Sequence, residues 1–358
     1  MAVGKSPESK IKDLENRLMR AQDAIKLNQN RIQQAERGRV YAERALAENQ
    51  NLLNVLQDIR GAVGNVSPYK ARRRTAAGPG KRRCIPSLML SDLHFGEWVD
   101  PHEVEGYNEY TPAVAKKRLK NTTLGMIEMF DLYASGLTAD SAVVVLGGDI
   151  LSGDIHQELS ETNALGTSET IVEFTPLLAS AIETIADRFG SVYVPCVTGN
   201  HDRSPRQKRV PSKRSAKDSL SWIVYCWLSD HFRNDERVKV EVSVATSMTY
   251  QLYNTRYLLT HGHEWKGGAG VAGLYPPIAR GVLKRSRRQE VIGNPFDHLI
   301  MGHFHQYTLG HNFLVNGSMK GYDQYAYQND FEPEVAQQAF WLTTPEHGFT
   351  LAAPIYCD

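Results

Sequence analysis

Residues 298–307 read HLIMGHFHQY and set two histidines, His303 and His305, one residue apart behind an apolar run and a glycine. In an extended segment residues i and i+2 share a face, so both imidazoles can be aimed at one object. A metal ion is one such object. A pair alone is weak, because histidines at this spacing also serve as solvated or hydrogen-bonded loop residues, and the rest of the chain must supply partners.

Working outward, the same format recurs. IPSLMLSDLH (85–94), SAVVVLGGDI (141–150), SVYVPCVTGN (191–200) and TRYLLTHGH (255–263) are each a short apolar run closed by a polar cluster with Asp, Asn or His. Runs of this length between helical stretches read as strands of an α/β fold. Strands that deliver polar residues at their C-terminal ends assemble a site at one edge of a sheet.

Composition sets the bounds. The chain has 358 residues, enough for one large domain and an extra segment, and a formal net charge of +1, so any basic surface must come from clustering. Its four cysteines (Cys84, Cys196, Cys226 and Cys357) are scattered with no C-x-x-C pair, which gives no disulfide framework and suits a reducing compartment. The start MAVGKSPESK lacks an apolar signal region, and no run of about 18 apolar residues occurs. A cytoplasmic protein with no membrane partner is the expectation.

Three segments follow. Residues 1–62 form a helical segment: between Lys10 and Arg60 there is no proline, and Ile11, Leu14, Leu18, Ala21, Ile25, Ile32, Leu46 and Leu53 recur at steps that continue a coiled-coil seam. Polar Asn28, Arg39 and Asn49 fall on that seam. A homo-oligomer or a partner helix through residues 10–60 is expected, and a helix folded back at Gly38 is the alternative. Residues 63–84, rich in Gly, Pro, Lys and Arg, read as a basic linker. Residues 85–358 carry the strand-like runs and read as the catalytic domain.

Taken in order, the polar clusters are D-x-H (Asp92, His94), G-D (Gly148, Asp149), G-N-H-D (199–202), H-G-H (261–263) and G-H-x-H (302–305). This ordered set resembles the signature of the calcineurin-like metallophosphoesterase superfamily over roughly residues 85–320. The resemblance implies a four-layer α/β/β/α sandwich with two mixed sheets. It implies two divalent transition-metal ions, manganese first, with iron, zinc or cobalt as alternatives. By the same resemblance Asp149 bridges the ions, Asp92, His94 and His305 complete the shell of the first, and Asn200, His261 and His303 that of the second. Such a pair can clamp a phosphate and supply a metal-bridging hydroxide near neutral pH.

The resemblance makes His201 a general acid at the leaving-group oxygen, with Asp202 or a neighbouring carboxylate holding its tautomer. His263 takes a supporting substrate contact, and His156, close after Asp149, is placed to reach substrate. Protein phosphatases of the superfamily carry Asp-Arg-Gly at the bridging aspartate and a glutamate after G-N-H; here GGDILSGDIH and GNHDR depart from both. The pattern looks more like the nuclease and phosphodiesterase branches, which include the SbcCD-type repair exonuclease subunits and viral relatives.

Charge placement points the same way. Arg203, Arg206, Lys208, Arg209, Lys213, Arg214 and Lys217 follow G-N-H-D directly, and LKRSRR (283–288) adds more basic surface. A positive segment beside a phosphate-cleaving centre suits a polyanionic substrate, DNA or RNA, though basic loops also arise merely to balance acidic faces. A phosphatase or small-nucleotide phosphodiesterase and a non-catalytic nucleic-acid-binding scaffold are the other readings.

Overall fold

The computed structural model describes residues 82–153, 163–202, 216–265, 273 and 275–358, together with Glu36, Arg39, Glu43, Gln50, Asn54, Gln57 and Asp58. In chain order the elements are β1 (Arg82–Arg83), β2 (Ile85–Leu90), α1 (Pro112–Tyr133), β3 (Leu137–Thr138), β4 (Ala142–Leu146), α2 (Thr167–Phe189), β5 (Val192–Cys196), α3 (Leu220–His231) and β6 (Val238–Val242). There follow β7 (Ser247–Leu252), β8 (Thr255–Thr260), α4 (Tyr275–Val291), β9 (His298–Met301), β10 (Thr308–Leu309), β11 (Phe313–Val315), α5 (Gln324–Gln328), β12 (Gln337–Thr344) and β13 (Gly348–Tyr356).

Every apolar run quoted above forms a strand. Of two large sheets one has six strands in the order β13-β12-β2-β4-β5-β6 and the other five, β10-β11-β9-β8-β7, while β1 and β3 form a separate two-stranded sheet. Both large sheets are mixed: β2, β4, β5 and β6 pair in parallel, while β12 runs antiparallel to β2 and β13. Strand β4, AVVVL, is buried throughout, as a central parallel strand covered on both faces requires. The edge strand β6, VKVEV, instead alternates Val with Lys and Glu, which keeps charge on an open edge.

The two sheets pack face to face. Met89, Val143, Val145 and Val197 from the larger sheet meet Tyr250, Tyr257, Leu259, Ile300 and Leu314 from the smaller, with Trp341 fully buried between them. Truncating such a core tryptophan to alanine costs about 3–5 kcal/mol. Helices α1, α2 and α3 contact the strands of the larger sheet. Helix α4 covers the outer face of the smaller sheet, where Ile278 and Val282 pack on Leu258, Leu299, Met301 and Phe313. The layers are therefore α/β/β/α, as the resemblance implied.

Local signals set the helix ends. Thr111, extended at φ −140°, accepts the Val114 N–H at 3.2 Å, and Pro112 follows at the first helical position of α1. Gly190 closes α2 at φ +94°. Strand structure begins within the stretch read as linker: Arg82 and Arg83 pair in parallel with Leu137 and Thr138 in the two-stranded sheet, and Cys84 is buried. All four cysteines are free. No described helix is long and apolar enough to cross a membrane.

The seam residues Ile11, Leu14, Leu18, Ala21, Ile25, Ile32, Leu46 and Leu53 lie outside the described residues, as do 63–81 of the linker. The described positions of that first segment are helical and exposed, and Arg39 Nε lies 3.5 Å from Glu43 Oε1 one turn on.

Candidate metal centre

The site sits where β2, β4, β5, β8 and β9 end. To turn the ligand candidates inward, the chain leaves extended geometry at once: Asp92 (φ 54°), His94 (46°), Asp149 (48°), His303 (72°) and His305 (57°) all adopt left-handed backbone. Each such non-glycine residue costs of order 1–3 kcal/mol, and such strain clusters at functional sites. Backbone hydrogen bonds hold it in place. Asp92 N–H donates to Gly148 O at 3.1 Å, and the N–H groups of Leu93 and His94 both donate to Asp149 O at 2.9 and 3.1 Å. Two glycines allow the loops to meet. A Cβ on Gly148 would lie 2.4 Å from Gly199 N, and one on Gly199 would lie 2.0 Å from Asp149 Oδ1.

Two compact donor sets result. Asp92, His94 and His305 bring one ligand atom each within 4.8 Å of one another, and so do Asp149, His261 and His303. In the first set His94 Nε2 faces His305 Nε2 at 3.2 Å, and His305 Nε2 lies 3.4 Å from Asp92 Oδ1. In the second His261 Nε2 lies 2.9 Å from Asp149 Oδ2. The sets adjoin, since His303 N–H donates to Asp92 Oδ1 at 3.0 Å and His201 N–H to Asp149 Oδ1 at 2.7 Å.

Electrostatics follow from burial and proximity. Burial alone would raise the Asp149 carboxyl, but His261 and His201 outweigh it and hold it well below the usual range. Asp92 is likewise held low against burial by His305 and His261. Burial pushes His261 down, yet the charges of Asp149 and Asp92 raise it to about 10. His303 goes the other way, lowered to about 3 by burial and by its neighbour His261. His94 is held well below its ordinary value by burial, Lys320 and His201.

The donor set fits a pair of cations. Asp149 Oδ2 and His261 Nε2 are buried and close, yet lack hydrogen-bond alignment. Facing imidazole nitrogens at 3.2 Å leave room for a single proton or a cation between their lone pairs. His261 Nδ1 meets Gly147 O at 2.9 Å, which fixes the ring and turns Nε2 toward Asp149. Mixed imidazole and carboxylate donors suit Mn, Fe, Zn or Co.

The other expected residues divide. Asn200 and His201 are half-buried on the loop after β5, and the His201 ring lies 4.8 Å from that of His94. Burial lowers His201, and its Nδ1 is buried without a hydrogen-bond partner. His263 lies beside the second set, its ring 5.6 Å from His261 and 6.3 Å from His303. Asp202 does not hold the His201 tautomer. Its carboxylate accepts the N–H groups of Asp149 at 3.0 Å and Leu151 at 3.1 Å, so it organises the Asp149 loop instead. Burial and the Asp149 charge raise Asp202 to about 7. His156, Arg203, Arg206, Lys208 and Arg209 lie outside the described residues.

A further strand end also supports the site. After β11, Asn316 donates from Nδ2 to Ser91 Oγ at 2.8 Å, Ser91 Oγ donates to Asp92 Oδ2 at 2.5 Å, and Ser318 Oγ donates to Asp92 O at 2.9 Å. The sequence signal was present: FLVNGSMK (313–320) has the same format of apolar run and polar cluster, but without histidine or aspartate.

No family model matches the chain. It is 21% identical over 257 residues to the SPbeta prophage-derived uncharacterized protein YonJ of Bacillus subtilis (strain 168), covering 69% of this chain and 58% of that protein. The chain thus spans less than two thirds of that relative's length. Among solved structures it is similar to a conserved uncharacterized protein from Streptococcus pneumoniae TIGR4, described as a predicted phosphoesterase, with 13% identity over 76% of this chain and 98% of that one at a TM-score of 0.28. Wild-type Vps29 of Entamoeba histolytica complexed with zinc is also 13% identical, over 76% of this chain and all of that one (100%), at a TM-score of 0.27.

Proposed function

We propose that the chain is a metal-dependent phosphoesterase, working with two divalent transition-metal ions and cleaving phosphodiesters of DNA or RNA. One observation carries this: two carboxylate–histidine triads, Asp92–His94–His305 and Asp149–His261–His303, adjoin at the strand ends of two facing sheets. The ions, when bound, would polarise a phosphoryl group and supply a nucleophile at neutral pH. Each triad would hold one ion, with Asn200 as a further ligand of the second and manganese the first choice of metal. His201 would give a proton to the leaving oxygen, a role supported by its ring lying 4.8 Å from that of His94 in the first triad.

Described surface supports a polyanionic substrate. Arg280, Lys284, Arg287 and Arg288 are exposed along α4, and none makes an ion pair among the described residues. Helix α4 is clamped to the His261–His263 loop: an Arg285 guanidinium N–H donates to Glu264 Oε1 at 3.1 Å, and Trp265 packs on Gly281, where a Cβ would lie 2.4 Å from its ring. A second run of basic residues, at 203–217, follows G-N-H-D in the sequence.

A substrate panel with Mn²⁺ tests the reading. The panel is bis-p-nitrophenyl phosphate, p-nitrophenyl phosphate, cyclic nucleotides, and single- and double-stranded DNA and RNA. Hydrolysis of the diester and of a polynucleotide, abolished by chelator, is expected. Cleavage of the monoester alone would make the chain a phosphatase, and cleavage of cyclic nucleotides alone would make it a small-nucleotide phosphodiesterase. A protein holding both ions and hydrolysing none would be a binding scaffold.

A further inference from the structure

Lys320 is 3% exposed, an unusual place for an ammonium group, and it lies between two carboxylates that are themselves buried. Its Nζ donates to Glu97 Oε1 at 2.8 Å and pairs with Asp323 Oδ2 on the other side. Taking these charges out of water costs several kcal/mol per ion before their attraction repays it, and a buried ion pair is often no more stabilising than apolar residues of the same volume. Stability alone is a poor reason for the arrangement.

The remaining oxygen of Glu97 supplies a better one. Glu97 Oε2 lies 3.5 Å from His94 Nδ1, the nitrogen turned away from the first donor set, while His94 Nε2 faces His305. Imidazole has two nitrogens and, when neutral, one proton; at 3.5 Å Glu97 makes a charge contact rather than an aligned hydrogen bond, and a carboxylate beside Nδ1 favours the tautomer with the proton there, which leaves the Nε2 lone pair for a cation. Lys320 is fixed in turn. Its N–H donates to Ser318 Oγ at 3.1 Å, and its carbonyl accepts from Arg118 at 2.8 Å and from Asn108 at 2.9 Å. Ser318 also holds the Asp92 backbone carbonyl, so one short segment touches the supports of both Asp92 and His94 in the first triad.

We propose that Glu97, held by Lys320, is the positioning residue of the first metal site: it sets the tautomer and ring orientation of His94 and thereby the affinity of Asp92–His94–His305 for a divalent cation. This rests on the dinuclear reading above. The second triad has its own device, His261 against Gly147 O, so Glu97 acts on one site only.

The test is a Mn²⁺ titration of the metal-free full chain, followed by electron paramagnetic resonance. Site by site, it is repeated in His303→Ala, which leaves the first triad, and in His305→Ala, which leaves the second. Loss of an outer partner of a metal-bound histidine weakens metal binding by about 10–100-fold. Glu97→Ala should show that loss in the His303→Ala background and none in the His305→Ala background. Glu97→Gln keeps the shape and one acceptor, and should lose less; it also serves if Glu97→Ala does not fold. Nitrogen-15 spectra of the zinc-loaded protein should place the His94 proton on Nδ1 in the wild type. Equal affinities of both sites with and without Glu97, or a His94 proton on Nε2, would overturn the proposal while leaving the dinuclear reading intact. A wild-type chain that takes up fewer than two ions would remove that reading and the proposal with it.

Discussion

His94 and His305, 211 residues apart in the chain, face each other through their Nε2 atoms at 3.2 Å. That separation suits either one shared proton or a cation bound by both nitrogens, and Asp92 Oδ1, 3.4 Å from His305 Nε2, adds the carboxylate that a cation would need. Replacing His305 with alanine should therefore remove one bound ion and replacing His303 should remove the other. Ligand binding stabilises the folded state by about 2.7 kcal/mol at a hundred times Kd. Elemental analysis should give two ions for the wild type and one for each variant, with the metal-dependent rise in melting temperature reduced in both. A variant that retained both ions would contradict the assignment.

Metal uptake should release a proton. In the metal-free chain Asp149 and Asp92 raise His261 to about 10 against the effect of burial, so near pH 8 this imidazole is protonated. A metal ligand must be neutral, and binding has to displace that proton. The sign is fixed: apparent affinity at the second triad rises with pH, about tenfold per unit, until pH approaches the raised value. Calorimetry at pH 8 in buffers of different ionisation enthalpy should report release of about one proton from this site. Heats independent of buffer would show that His261 is already neutral.

Asp202 illustrates what the sequence hides. Its place after G-N-H suggested a partner for His201, but hydrogen bonds to backbone donors leave no trace in residue type. Asp202→Ala leaves the buried N–H groups of Asp149 and Leu151 without their acceptor, at about 1–3 kcal/mol for each. Asp202→Asn keeps one carbonyl oxygen and should fall between. Chemical denaturation measures the loss, and metal analysis should show the second triad weakened in step, because Asp149 belongs to it. Full stability in Asp202→Ala would mean that water replaces the carboxylate.

The strand ends were legible because each apolar run must stop where the sheet stops, and a charged or imidazole side chain marks that point. His261, His303, His305, Asp92 and Asp149 came from this rule and from the resemblance together. Glu97 and Lys320 did not, since a Lys–Glu pair 223 residues apart is indistinguishable in sequence from two solvated surface charges. Asn316 and Ser318 were missed for another reason. Their strand end offers amide and hydroxyl groups, which position other residues, and such groups are common in ordinary loops. The helical cover of the sheets followed from the intervals between strands, while the inward turn of the ligands depends on left-handed backbone at Asp92, His94 and Asp149, which residue type does not announce.

The proposed polynucleotide substrate can be tested through the charge on α4. If a polynucleotide lies along Arg280, Lys284, Arg287 and Arg288, changing all four to glutamine removes phosphate contacts that carry no base preference. Each lost contact with a single strand reduces the slope of log affinity against log salt by about 0.7, so the quadruple variant should bind every sequence more weakly and respond less to salt. These side chains are exposed and lie outside both triads, so folding and metal content should be unaffected, and hydrolysis of bis-p-nitrophenyl phosphate should continue at the wild-type rate. Binding isotherms with labelled single-stranded DNA and RNA between low and moderate salt would supply the slopes. An unchanged slope in the variant would show that the α4 charges are a solvated helix face, and would shift the substrate toward a small phosphodiester that reaches only the metal centre.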